Sequence, residues 1–247
     1  MLKHLPQRIA RRVLDPLGLE LSRKSTRDGF AIQQRLAGAD ARVVFDVGAH
    51  VGQTYRRYRT LFPSAQIHAF EPFPESFAAL RNACAQDGAA RANQIALSEN
   101  DQPLVLHINK RSDTNSSLPL DDRAGQFWGD AVSSEGRTVE VPSITLDAYC
   151  EQNAIERIDL LKLDVQGGEL RVLRGARRML QAQRVRLVFT ELLFAPTYRG
   201  QPSINAYFEL LDGYGYELFD MLNLTRSGDR LIQSDVLFRP KELTTPR

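Results

Sequence analysis

Arg42-Val-Val-Phe-Asp-Val47 runs straight into Gly48-Ala-His-Val-Gly52. The first part is a short β-branched run, as buried strands are. The second is a turn with glycine at both ends. Gln53 to Leu61 then reads as a helix, and Gln66-Ile-His-Ala-Phe-Glu71 as a second strand closed by Pro72. Pro74 to Cys84 is a second helix with Phe77, Leu80 and Cys84 on one face, and Asn93-Gln-Ile-Ala-Leu97 predicts a third strand. Strands joined by helices in this order predict an α/β fold built on a doubly wound, parallel sheet.

The rhythm stops at residues 103–142. Pro103 to Ile108 alternates like a strand, and Thr138-Val-Glu-Val-Pro142 is another. Between them, Lys110 to Arg137 is loop-like and rich in Ser, Asp, Asn and Gly. It is too long for an idle connection and is expected to cover a site. A short helix at Thr145 to Cys150 follows. Ile158-Asp-Leu-Leu-Lys-Leu-Asp164 then restores the α/β pattern, with a turn at Val165-Gln-Gly-Gly168, a helix from Glu169 to Leu180, a strand at Val185 to Glu191 and a helix from Ile204 to Leu211. The final strands, Tyr216 to Asp220 and Ser234 to Arg239, are joined by a turn segment at Asn223 to Asp229. That is too short for a crossover helix, so they are expected to pair antiparallel.

Composition narrows the class. With 43% hydrophobic and 25% charged residues in 247, the chain is neither collagen-like, mucin-like, a disulfide scaffold nor wholly disordered. No stretch approaches the roughly 20 apolar residues of a membrane span, and the N-terminus has no apolar signal region. A cytoplasmic location is expected. Cys84 and Cys150 belong to no CxxC pair, and the four histidines have no ligand spacing, so packed thiols and no metal site are expected. A net charge of +2 and the lack of an Asn-Pro-Pro-Tyr-type motif argue against a nucleic-acid substrate. The basic excess is confined to residues 1–28, where seven Lys or Arg face three Asp or Glu. Residues 1–38 read as a helical segment ahead of one domain at 39–247. Its basic helix fits either peripheral contact with an anionic membrane face or packing on the domain with a solvated basic side.

The chemistry sits at the strand ends. Ligands of open α/β sheets bind at the carboxyl edge, where a glycine admits close backbone approach and a helix start offers free N–H groups. A dinucleotide turn would read G-x-G-x-x-G, but the third and sixth positions from Gly48 are His50 and Gln53. The spacing is instead D-x-G-x-x-x-G, from Asp46 through Gly48 to Gly52. An acid there repels a pyrophosphate and suits a cation such as an amino-acid ammonium. Glu71 lies 23 residues beyond Gly48, at a strand end where a carboxylate can accept both ribose hydroxyls of an adenosine. S-adenosylmethionine meets both conditions. Lys162 and Asp164, two apart, share one face of their strand, and Lys162 interrupts a run expected to be buried. Glu191 ends the fifth strand on the same edge. Glu169 is accounted for by its place at a helix start.

Phe45-Asp-Val-Gly-Ala-His-Val-Gly-Gln53, Ala69-Phe-Glu-Pro72, Ala96-Leu-Ser98, Asn115-Ser-Ser-Leu118, Thr145-Leu-Asp147 and Ile158 to Glu169 occur in that order. The ordered set resembles the FkbM family of S-adenosylmethionine-dependent methyltransferases over about residues 40–240. The resemblance implies the Rossmann-like class I methyltransferase fold, seven strands with the last two antiparallel, and O-methylation of a sugar, polysaccharide or related metabolite. It implies that Asp46, Gly48, Ala49, Gly52 and Gln53 line the cofactor's methionine and ribose part, and that Glu71 holds the ribose. Phe70, Pro72, Ala96 and Leu97 would border the adenine, and Asp164 would face the transferring methyl. His50 stands where the family commonly has Asn, and Gln166 where it commonly has Glu. Asp164, His50, Lys162 with a depressed pKa, and Glu191 are the candidates for a general base. Nitrogen as the acceptor atom and a degenerate cofactor-binding scaffold stay open beside O-methylation. The oligomeric state is not encoded in any motif.

Overall fold

The computed structural model describes residues 28–38 and 40–241. Residues 1–27 of the basic segment read at 1–28 lie outside them. The first described helix, α1 (Gly29–Ala37), starts where the Asp28 side chain accepts the Phe30 N–H and ends at Gly38. It packs on α2 (Gln53–Leu61), where the buried Tyr58 hydroxyl donates to Gln33 Oε1 at 2.6 Å. It thus shares the apolar layer of the domain, with Leu36 and Ala37 buried beside Tyr58.

The sheet follows the predicted plan. Strands β1 (Val43–Val47), β2 (Gln66–Phe70), β3 (Ala90–Asn93), β8 (Leu160–Leu163), β9 (Val188–Leu193), β10 (Tyr216–Ser227) and β11 (Arg230–Pro240) form seven strands in the order β10-β11-β9-β8-β1-β2-β3. Pairing is parallel from β9 to β3, and β11 runs antiparallel to both β9 and β10. The β-branched and leucine-rich runs are buried because both faces are covered. Successive residues feed opposite layers. Phe45 and Leu161 enter one core with Val172 and Leu211, while Val44 and Leu160 enter the other with Tyr58 and Leu80. Each such side chain, fully buried, is worth about 1.5–3 kcal/mol. Cys84 and Cys150 are buried free thiols. Among the described residues, no helix is long and apolar enough to cross a membrane.

Four predicted elements differ. Asn93 to Leu97 is not one strand. β3 ends at Asn93, and β4 (Ala96–Ser98) pairs instead with β7 (Ser143–Thr145) in a separate two-stranded sheet. The loop-like stretch after β5 (Leu104–Asn109) is partly ordered. It holds a 3₁₀ turn at Ser112–Thr114, the short helix α4 (Ala124–Trp128) and the start of β6 (Ser134–Val141), which returns antiparallel to β5. The helix expected from Glu169 to Leu180 is broken into α6 (Glu169–Arg174) and α7 (Arg177–Gln181). A Cβ on Gly175 would lie 2.0 Å from Ser98 O, so the chain must pass β4 here without a side chain. Asp147, in α5 (Leu146–Gln152), accepts the Arg178 and Met179 N–H groups at 2.7 and 3.1 Å and so starts α7. Finally, the turn joining the last strands is shorter than expected. β10 runs to Ser227 and β11 begins at Arg230, leaving Gly228-Asp229. The remaining helices, α3 (Pro74–Cys84) and α8 (Ile204–Gly213), lie where the periodicity places them.

Candidate active site

The ends of β1, β2 and β8 meet in a packed turn. Asp46 and Lys162 are register partners on β1 and β8, and their side chains pair at 3.0 Å with Asp46 fully buried. Lys162 Nζ also donates to Gly48 O at 2.9 Å and lies 3.6 Å from Asp164 Oδ2. Burial disfavours the ammonium, but the carboxylates of Asp46 and Asp164 outweigh it and the Lys162 pKa is raised. Lys162 is therefore a charged strut under the glycine turn, not the depressed-pKa base that the sequence left open. Gly48 is obligatory: its φ is +78°, and a Cβ there would lie 1.8 Å from Asp164 O.

Glu71 follows β2 and is buried at the turn. Its Oε2 accepts the His50 N–H at 2.8 Å and its Oε1 the Phe73 N–H at 2.9 Å. Burial pushes its carboxyl up to about 7, against the pull of those two N–H groups. Each oxygen keeps acceptor capacity for one further donor. His50 sits at φ +48°, and its Nε2 lies 2.8 Å from Ser112 Oγ of the inserted segment. Glu169 is structural: its Oε1 accepts the Val165 and Gly167 N–H groups at 2.8 and 3.2 Å, closing the turn after β8. Burial lifts this carboxyl as well, to about 7.

A cavity of about 420 Å³ opens above these strand ends. Gly48, Ala49, His50, Gln53, Phe70, Glu71, Pro72, Ala96, Leu97, Lys162, Asp164 and Glu191 all line it. Of the candidates read from the sequence, Asp46 and Gly52 do not. Asp46 is held under the turn by Lys162, and a Cβ on Gly52 would face Leu80 and Ala83 of α3 at 3.2 Å, away from the opening. Motif position alone could not tell a ligand contact from a strut beneath it.

The cavity also takes in residues beyond the site candidates, two of them, Gln166 and Ser116, within the motifs quoted above. Gln166, at φ +56°, donates through Nε2 to Asp164 Oδ1 at 2.8 Å and Glu191 Oε2 at 3.2 Å, while its Oε1 accepts the Tyr198 hydroxyl at 2.9 Å. Gln233 of β11 donates to Glu191 Oε1. The Glu191 carboxyl is pushed well above the usual range by burial, reinforced by Asp164, Glu169 and Asp235. Ser116, within the Asn115–Leu118 motif, donates to Gln166 O at 2.5 Å and so ties the inserted segment to the β8 turn. Trp128 of α4 also lines the cavity, its indole N–H donating to Thr197 Oγ1 at 2.9 Å. The insert thus closes one wall, as its length predicted.

The residues fit an adenosine-bearing cofactor. Glu71 offers two acceptor oxygens at the tip of β2, and Phe70, Ala96 and Leu97 give an apolar wall beside it. The N-terminus of α2 carries no side-chain cap, and its Gln53 and Thr54 border the cavity. The fold is of the Rossmann-like α/β class, with its cavity at the carboxyl ends of the strands. The profile of the FkbM methyltransferase domain matches residues 46–218. The chain is 28% identical over 209 residues to the 2-O-methyltransferase NoeI of Sinorhizobium fredii, covering 81% of this chain and 80% of that protein. It is 32% identical over 152 residues to the 31-O-demethyl-FK506 methyltransferase FkbM of Streptomyces tacrolimicus, covering 54% of this chain and 58% of that one. Among solved structures, Aeropyrum pernix fibrillarin with natively bound S-adenosyl-L-methionine superposes with a TM-score of 0.46 at 14% identity, over 82% of this chain and 68% of that one. The chain belongs to the FkbM methyltransferase family and is an S-adenosylmethionine-dependent methyltransferase.

Proposed function

We propose that this enzyme methylates a hydroxyl oxygen of a sugar, a polysaccharide or a related hydroxylated metabolite. The observation that carries the reading is the wall of Asp164, Gln166 and Glu191 at the β8 and β9 ends, beside the Glu71 end of the same cavity. Side-chain oxygens concentrated there suit hydroxyl donors. Of the two relatives described above, one is named a 2-O-methyltransferase and the other a methyltransferase of a 31-O-demethyl compound, and both names support the same atom.

Bound S-adenosylmethionine supplies an electrophilic methyl on its sulfonium. Glu71 would hold the ribose hydroxyls, and the Gly48 turn and the start of α2 would hold the methionine end. The protein's remaining task is to hold the acceptor oxygen in line and exclude water. The Asp164 side chain is 41% exposed, and its carboxylate is fixed by Lys162 on one oxygen and Gln166 on the other. On this reading Asp164 takes the hydroxyl proton, a role worth on the order of 10²–10⁴ in rate.

The test has two arms. Calorimetry with S-adenosylmethionine is expected to show binding that weakens about ten- to a hundred-fold in Glu71→Gln, which loses a charged acceptor of the ribose hydroxyls. A panel of glycosides, polyols and amines, scored by S-adenosylhomocysteine release, is expected to turn over on hydroxyl compounds. Turnover confined to amines would overturn the reading.

A further inference from the structure

We propose that the end of the cavity over β9 and β11 is a subsite for one neutral, polyhydroxylated ring, with Trp128 as its apolar face and the Gln166–Glu191–Gln233 chain as its hydrogen-bonding face. The inference deepens the reading above. It rests on that reading for the reaction and not for the binding.

Sheet order separates the two ends. β8 stands between the β1–β2 pair that carries the glycine turn and Glu71, and β9 and β11, which carry Glu191 and Gln233. A ring at this end therefore lies across Asp164 from the Glu71 carboxylate.

Trp128 is half-buried and held by its edge. Its N–H is committed to Thr197 Oγ1, and that hydroxyl donates to Ala195 O at 3.2 Å. Beside it, Phe127 stacks under the Arg230 guanidinium at 4.6 Å, which fixes α4 to the β10–β11 hairpin. An indole anchored through its N–H keeps its face for the C–H side of a sugar ring.

The hydrogen-bonding face is set by Gln166, which lines the same cavity. Its left-handed backbone, gripped by Ser116, aims the amide between the carboxyl groups of Asp164 and Glu191. The Tyr198 hydroxyl fixes which way the amide points. Both Gln166 and Gln233 spend amide donors on Glu191. What remains toward the cavity is rich in acceptor oxygens, the complement of hydroxyl donors. A phosphate or uronate would meet the Asp164 carboxylate. The arginines that line the cavity, Arg111 and Arg171, sit beside the carboxylates of Asp113 and Glu99. The charged and titratable groups that act electrostatically with Glu191 include Lys162, Asp164, Glu169 and Asp235, together with Tyr198 and Tyr207.

Trp128 is the chain's single tryptophan, so its emission reads this subsite without turnover. Protein saturated with S-adenosylhomocysteine is titrated with the methyl α-pyranosides of glucose, galactose, mannose and fucose, with galacturonate and with glucosamine. A saturable change is expected with at least one neutral glycoside, binding about ten-fold or more tighter than the uronate. Gln166→Met, which keeps the length and removes the donors, is expected to weaken that binding about ten-fold, with affinity for S-adenosylhomocysteine within about two-fold. Gln233→Ala, on another strand, repeats the test should the turn variant misfold. No response to any neutral glycoside, tighter binding of galacturonate or glucosamine, or wild-type affinity in both variants would overturn the proposal. A ring that binds here while no hydroxyl is methylated would keep the subsite and sink the proposed reaction.

Discussion

The glycine turn and the inserted segment line one cavity, yet they are held in different ways. At the turn, Asp46, Lys162, Glu71 and Glu169 are buried; Asp46 pairs with Lys162, and the other three reach backbone groups around the same strand ends. The insert reaches the cavity through the exposed Ser112 hydroxyl and the half-buried Trp128 indole, with Ser116 as its one buried tie among these three. Interactions removed from water have large consequences when broken, and exposed ones have small consequences. The contrast separates a prebuilt cofactor end from an adjustable acceptor end.

The sharpest way to break the contrast is at the strut. Lys162→Met leaves the Asp46 carboxylate buried without its cation, a change that typically costs about 3–5 kcal/mol. Urea unfolding should show that loss as a lower midpoint, with cofactor affinity falling alongside it because Gly48 O loses its donor. A midpoint within about 1 kcal/mol of wild type would mean that Asp46 takes up a proton at little cost, and that the turn is not organised by this pair.

A pH series sharpens the same side of the comparison. The carboxyls of Glu71 and Glu169 are pushed up by burial to about 7 in the folded chain, against about 4.5 when exposed. Between those values the folded state holds more protons than the unfolded state. Their contribution is therefore fully present below about 4.5 and is lost as pH rises through about 7. Each group is worth on the order of 1–3 kcal/mol across that window. Unfolding of cofactor-free protein at several pH values should reveal a downward slope that Glu71→Gln makes shallower. An equal slope in the variant would show that Glu71 titrates normally.

Much of this arrangement is legible in the chain, because period and spacing report faces. The run Val43 to Val47, the Gly48 turn, Glu71 at a strand tip and the two-residue step from Lys162 to Asp164 all follow from local rules. What a face looks at is not local. Asp46 reads as a ligand until β1 and β8 register places it against Lys162. Gln166 reads as a lost acid until Tyr198 and Glu191, 32 and 25 residues away, converge on it. Gln233 has no motif at all, and its approach to Glu191 depends on β11 lying antiparallel to β9. The break at Gly175 is set by Ser98, far earlier in the chain. Helix periodicity alone sees no reason for it.

The smallest effect tests the insert. Ser112 Oγ meets His50 Nε2 at 2.8 Å in an exposed position, the one side-chain bond found between the segment and the glycine turn among the described residues. Ser112→Ala should change stability by less than ~0.5 kcal/mol, as exposed substitutions do. If the bond only tethers the wall, S-adenosylhomocysteine should dissociate about two-fold faster, with the glycine turn itself undisturbed. Stopped-flow dissociation reads this directly. A loss as large as that of Glu71→Gln would mean that the insert helps to build the cofactor end, and the separation between the two regions would fail.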